Sequence, residues 1–128
     1  MSDKSIAQKL VIKSGQTVVF VNPPLGYLTS IGVLPAGVTV LQNPGRPVDF
    51  IQVFVANRKE LEDQLPRLKT ALKSPGSLWV TYHKGTSKTK TDINRDSIIA
   101  YARTLGLEGV AMISIDDDWS AARLKLTQ

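Results

Sequence analysis

Two stretches of this chain carry the residues best suited to chemistry. One is Asn22-Pro23-Pro24-Leu25-Gly26-Tyr27, and the other is His83-Lys84-Gly85-Thr86-Ser87-Lys88; each follows an apolar run. In the second stretch the lysines supply charge, Thr86 and Ser87 supply hydroxyls, and Gly85 lets the backbone approach a guest closely. A small anion such as a phosphate or carboxylate suits that set. The expected ligand-binding residues are therefore Asn22, Gly26, Tyr27, Lys84, Thr86, Ser87 and Lys88. A solvated surface loop would have the same composition. The pattern is not a nucleotide-triphosphate loop, which needs glycines ahead of the lysine and a helix behind it.

Other reactive side chains lack the company that chemistry needs. His83 has the intrinsic pKa of a general base, but spacing sets no partner beside it. Ser87 and Ser114 could act as nucleophiles only with an adjacent base, and neither sits in a nucleophile elbow. Asp116-Asp117-Asp118 offers three carboxylates, yet neighbours on an extended chain point apart. That run reads as a solvated turn in which Asp118 accepts a backbone hydrogen bond. No catalytic residue and no metal site is expected. Phe54, Trp79 and Tyr82 could stack on bases, and Lys84, Lys88, Lys90 and Arg95 form a basic patch diluted by Asp92 and Asp96. No helix-turn-helix, zinc-finger or single-strand-binding signature accompanies them.

The 128 residues suit one domain spanning 1–128, and the 42% hydrophobic, 21% charged balance is that of a globular chain. A chain of this size buries about two-thirds of its extended surface and needs no covalent staple. The absence of cysteine excludes disulfides, thiolate metal sites and a cysteine nucleophile, and a single histidine leaves no multi-imidazole site. A net charge of +5 favours approach to anionic partners without naming one. No apolar run reaches the roughly 18 residues of a membrane span. The N-terminal segment lacks the apolar core of a secretion signal, so a cytoplasmic location is expected.

The elements that must position these stretches follow from hydrophobic patterning. A short helix is predicted over 4–11. Thr17-Val18-Val19-Phe20-Val21 is a short β-branched run, as in a parallel strand covered on both faces. Tyr27, Leu28, Ile31 and Leu34 can line one face of a short helix, which Pro35-Ala36-Gly37 stops. Val38–Leu41 is a second strand, and residues 42–47 form a polar turn. Asp49–Ala56 is the strongest strand. Asn57 then caps a helix, with Glu60 at the capping-box spacing and Leu61, Leu65, Leu68 and Leu72 as its apolar stripe. Pro66 predicts a kink or break in it.

Lys73–Gly76 should end that helix, and Ser77–Tyr82 is the next strand. Residues 83–92 read as a loop. Asn94 or Asp92 can cap a helix carrying Ile98, Ile99, Ala102 and Leu105, with Gly106 as its left-handed exit. Strands over 110–115 and 122–126, joined by a short turn, should pair antiparallel. The turn between the second and third strands is too short for a helix, so those strands either pair antiparallel or cross over without one. Right-handed crossovers give a compact Rossmann-like three-layer α/β domain, mostly parallel with a C-terminal antiparallel hairpin.

Leu72-Lys73-Ser74-Pro75-Gly76-Ser77-Leu78-Trp79-Val80 and the hairpin from Trp119 to Leu126 resemble segments of Rossmann-like methyltransferases. Those enzymes place glycines after the first strand, where this chain has Asn22-Pro23-Pro24-Leu25-Gly26. A broader resemblance covers nearly the whole chain. It rests on Leu10–Gln16, Pro24-Leu25-Gly26-Tyr27, Leu78–Lys84, Thr86–Asp92, Gly106-Leu107 and Asp118–Leu124. In their order and spacing these are similar to a family of small bacterial proteins of unknown function. That resemblance implies the trimmed methyltransferase-like fold and no activity.

The leading expectation is a non-catalytic protein without a cofactor that binds a small anionic ligand, a protein partner or a second copy of itself. One alternative is a methyltransferase-like transferase with an atypical cofactor loop; another is weak nucleic-acid binding.

Overall fold

The computed structural model describes residues 5–41, 47–85 and 91–127, except for the side chains of Ser74 and Pro75. The elements in chain order are α1 (Ile6–Lys9), β1 (Thr17–Val21), α2 (Tyr27–Ser30), β2 (Thr39–Leu41) and β3 (Val48–Phe54). Then come α3 (Arg58–Lys69), β4 (Leu72–His83), α4 (Arg95–Thr104), β5 (Leu107–Ser114) and β6 (Trp119–Leu126).

The strands form a six-stranded sheet in the order β2-β1-β3-β4-β6-β5. The first four in that order run parallel, and β6 runs antiparallel to both β4 and β5. The expected fold is therefore observed, closing hairpin included. The question left by the short second connection is also settled. β2 and β3 lie on opposite sides of β1, both parallel to it, so they do not pair with each other.

Because successive strand residues face opposite sides, β1, β3, β4 and β6 each feed two cores. Val19, Val21, Ile51, Val53, Leu78, Val80 and Leu124 pack with Leu61, Leu65 and Leu68 of α3 and Ile98 and Ala102 of α4. On the other face Val18, Phe20, Phe50, Phe54, Trp79 and Ala121 meet Ala7 of α1, Leu10, and Tyr27 of α2 with Ile31. That second face also holds the two buried polar residues found among the described ones, Gln52 and Thr81. The Tyr27 hydroxyl donates to Gln52 Oε1 at 2.8 Å, and Gln52 Nε2 donates to Thr81 Oγ1 at 2.9 Å. A buried amide is tolerated because both its ends are satisfied.

Several boundaries differ from the sequence expectation. Leu72 is not the last residue of the α3 stripe but the first of β4, so residues 73–76 belong to a strand. Between the pairs Val48↔Leu72 and Phe50↔Ser77, β4 carries more residues than β3, and the excess bulges out. Gly76 fits this bulge because a Cβ there would meet the carbonyls of Lys73 and Asp49. Pro66 does not break α3, which runs on to Lys69. α2 is only one turn long, and Leu28 on it is exposed while Tyr27 and Ile31 are buried. β5 starts at Leu107, three residues before the expected onset.

Asp116 helps to hold the acidic turn between β5 and β6. Its Oδ1 accepts from the amides of Asp118 at 2.8 Å and Trp119 at 3.0 Å. Among the described residues no cluster of carboxylates or imidazoles could hold a metal ion. No helix among them is long and apolar enough to cross a membrane.

Candidate functional site

The chain leaves β1 toward β2 on one side of the sheet, and β3 lies on the other side. That reversal creates a crevice at the carboxyl ends of β1 and β3, where open α/β sheets bind ligands. A cavity of about 380 Å³ opens there, lined by Asn22, Pro24, Phe54, Ala56, Glu60 and Trp119.

Each wall has a local cause. Asn22 follows β1 with φ of 56°, the left-handed region that asparagine tolerates better than most residues. It turns the chain into Pro23-Pro24. Phe54 ends β3 and Trp119 begins β6. Glu60 sits in the first turn of α3, where the helix dipole favours a carboxylate. Asn57 Oδ1 accepts from the Glu60 amide at 2.9 Å, and Glu60 Oε1 accepts from the Ala56 amide at 2.7 Å. This is the expected cap, with the returning bond one residue earlier than a capping box would place it.

Aromatic rings continue from the cleft into the core. Tyr27 meets Phe54 edge-on at 4.6 Å, and Phe54 meets Trp119 edge-on at 5.2 Å. Trp119 stacks on His83 at 4.0 Å. The Nδ1 of His83 is buried and has no hydrogen-bond partner among the described residues.

The expected ligand-binding residues do not all converge. Asn22 lines the cleft. Gly26 precedes α2 with φ of 82°, which a side chain would strain. Tyr27 is only 5% exposed and turns its hydroxyl to Gln52, not to the cleft. Burial pushes its hydroxyl pKa well above the ordinary tyrosine value, despite the opposing Gln52 hydrogen bond. Lys84 Nζ donates to Ser114 Oγ at 2.6 Å, and the Lys84 amide donates to the Asp118 carbonyl at 2.8 Å. Lys84 is therefore tied to the β5–β6 hairpin, and Trp119 forms the cleft wall. Thr86, Ser87 and Lys88 lie outside the described residues.

Ala56, Glu60 and Trp119 were not singled out from the sequence as site residues, and Phe54 was weighed only as a ring that could stack on nucleic-acid bases. Their signal was position. Phe54 and Ala56 end the strongest strand run, and Glu60 lies in the first turn of the helix that follows.

The cleft's described lining includes one carboxylate and no lysine or arginine. Pro23 and Pro24 have no amide hydrogens, so they cannot cradle a phosphate. Aromatic faces, a carboxylate and an asparagine instead fit a nucleoside, with ring stacking for the base and acceptors for ribose hydroxyls. They also tolerate a cationic centre better than an anionic one.

Solved structures share this architecture. A ribosomal protein L11 methylase from Lactobacillus delbrueckii subsp. bulgaricus aligns with a TM-score of 0.63 at 11% identity, covering 95% of this chain and 75% of the methylase. DhpI in complex with SAH aligns with a TM-score of 0.64 at 13% identity, covering 97% and 83%. A fibrillarin/Nop5p complex gives 0.53 at 12% identity, covering 88% and 73%. The fold is that of the Rossmann-like methyltransferases. No family model and no curated protein matches the sequence, so membership in a small bacterial family is not shown. These likenesses to methyltransferase-fold enzymes run against the expectation of a non-catalytic protein, and at 11–13% identity what they show is the fold.

Proposed function

We propose that this chain is a methyltransferase-like transferase that takes S-adenosylmethionine in the switch-point cleft through a rebuilt cofactor loop. The carrying observation is the cleft itself: it lies at the carboxyl ends of β1 and β3, is about 380 Å³ in volume, and is walled by Phe54, Trp119 and Glu60. Its volume falls within the roughly 300–1,000 Å³ common for small-molecule sites. Trp119 would pack against the adenine, backed by the buried ring of Phe54. Glu60, one of whose oxygens already accepts from the Ala56 amide, would offer the other to ribose. Asn22 would supply a donor and an acceptor where other members of the fold use glycine backbone. The cofactor, when bound, supplies an electrophilic methyl group on a sulfonium.

The chain's own residues would bind and orient the nucleoside and exclude water from it. The Glu60 carboxylate would also favour a cationic centre over a neutral one.

Titration calorimetry with S-adenosylmethionine and S-adenosylhomocysteine tests the reading. Both should bind saturably, with the cationic compound tighter by roughly 5-fold, the worth of one exposed charge contact of about 1 kcal/mol. Ala56→Leu, which fills the cleft from its edge, should remove both binding events while the melting temperature stays close to that of the parent. Glu60→Gln should narrow the preference. Equal binding to the parent and to Ala56→Leu would sink the proposal, as would no binding by the parent at millimolar ligand.

A further inference from the structure

A second cavity lies at the opposite end of the sheet. It is about 300 Å³ in volume and opens on the face covered by α1 and α2, beside the amino ends of β3 and β4's second half. Val11, Phe50, Val110 and Leu126 supply its apolar lining. Its charged lining is Lys13, Arg123 and Lys125 against Asp49.

Among the described residues, the cations of this lining outnumber the carboxylates that meet them. Asp49 is already engaged on both oxygens: Oδ2 accepts from the Thr17 amide at 2.9 Å, and Oδ1 lies 3.6 Å from Lys73 Nζ. Lys125 reaches Glu108 at 3.4 Å across two exposed side chains, a contact of little strength. Arg123 is half-buried, and its Nε donates to Ser77 Oγ at 2.9 Å, which fixes the plane of the guanidinium. Its two terminal nitrogens have no hydrogen-bond partner among the described residues, and it forms no ion pair there. Neither nitrogen is among the buried unpaired polar atoms, so both stay within reach of an anion entering the cavity from solvent.

The rim carries a second, independent sign. Val11 has φ of 59°, and a β-branched residue resists that left-handed conformation. Trp79 Nε1 donates to the Leu10 carbonyl at 3.2 Å, which helps pin the turn just before Val11. Backbone held in a disfavoured region beside a cavity is a mark of sites shaped for a ligand.

We propose that this cavity is a second ligand site, distinct from the switch-point cleft, for a small carboxylate with an apolar body. The planar fork of Arg123 suits a carboxylate's two oxygens. The apolar part of the lining favours an anion with an apolar body over a bare, fully hydrated one. At about 30 Å³ per water-sized group, the volume holds roughly ten non-hydrogen atoms, the size of an aromatic acid with a single ring.

The test is an amide NMR titration of the full chain with benzoate, alongside benzyl alcohol as its neutral counterpart and inorganic phosphate as the anion without a body. Benzoate should shift the amides of Val11, Ser77 and Val110 saturably, and each comparison compound should bind at least about tenfold more weakly, the worth of one charge-assisted contact. Arg123→Gln should weaken benzoate at least as much while the rest of the spectrum is kept. If that variant fails to fold, Val110→Glu places a like charge at the exposed rim and should abolish binding. Benzyl alcohol binding as well as benzoate, or either folded variant binding benzoate like the parent, would overturn the site. So would benzoate shifts centred on Asn22 and Ala56. Loss of S-adenosylmethionine binding in Ala56→Leu leaves this site untouched, so the two proposals fail separately.

Discussion

The two faces of the sheet are covered in different ways. α3 and α4, of 12 and 10 residues, seal one face with aliphatic side chains from helix and strand alike. The other face is spanned by α1 and α2, of four residues each. Aromatic rings make up the difference there: Phe20, Tyr27, Phe50, Phe54 and Trp79 fill space that longer helices would occupy. Both proposed ligand sites draw on residues of this thinner face, Phe54 and Trp119 at one end and Phe50 and Arg123 at the other. A face closed by regular helices stabilises the fold, and a face closed by single large side chains leaves hollows at its margins.

The sharpest way to break this contrast is on the sealed face. Leu65 is fully buried in α3, and Leu65→Ala should cost about 2–5 kcal/mol in denaturant unfolding, transfer and cavity terms combined. A smaller loss would mean that the helical face is as loosely closed as its opposite.

On the thin face Tyr27→Phe removes the donor to Gln52 Oε1 and leaves a buried acceptor unpaired. The expected loss near neutral pH is about 1–3 kcal/mol. Tyr27 also couples stability to alkaline pH. Its hydroxyl pKa is raised in the folded protein by burial, so the unfolded chain ionises first, near the ordinary value of 10.0. Stability should be fully present below that value and fall as pH rises past it. Tyr82 is raised in the same direction by burial and contributes to the same fall. Thermal melts across that range should therefore drop less steeply for Tyr27→Phe than for the parent.

A cap tests local closure on the sealed side. Asn94 Oδ1 accepts from the Ser97 amide, and the Ser97 hydroxyl accepts from the Asn94 amide, each at 2.9 Å. Asn94→Ala should cost about 1 kcal/mol in denaturant unfolding. The smallest effect has the opposite sign. Val11 is 44% exposed and left-handed, so Val11→Gly loses little packing and relieves strain. It should gain about 0.5–1 kcal/mol, read as a higher denaturant midpoint.

Much of the architecture was legible without coordinates because it depends on local periodicity. The runs Thr17–Val21 and Asp49–Ala56 are too apolar to sit anywhere but the middle of a sheet. The leucine stripe beginning at Leu61, together with the Asn57 and Asn94 caps, marks α3 and α4. The short link after β5 implied an antiparallel hairpin. Where periodicity was ambiguous the reading slipped. Leu72 continued the helical stripe in sequence, but its pairing with Val48 places it in β4, and pairing between distant segments leaves no local mark.

Of the expected ligand-binding residues that are described, Asn22 lines the cleft. Strand ends could be located, so the loop after β1 was a sound place to look. Tyr27 and Lys84, however, spend their polar atoms on Gln52 and Ser114, 25 and 30 residues away in the chain. No spacing rule foresees such partners.

By itself, then, the amino-acid order determined the types of element, their sequence along the chain and the terminal hairpin, since each depends on neighbours within a few residues. Only the tertiary structure decided which side of β1 receives β3, and so where the crevice opens. Only it showed that Phe54, Glu60 and Trp119, from three separate elements, share one wall, and that Arg123 lines a hollow at the opposite end of the sheet. These are relations between segments far apart in the chain, set by strand order and by which face each side chain takes.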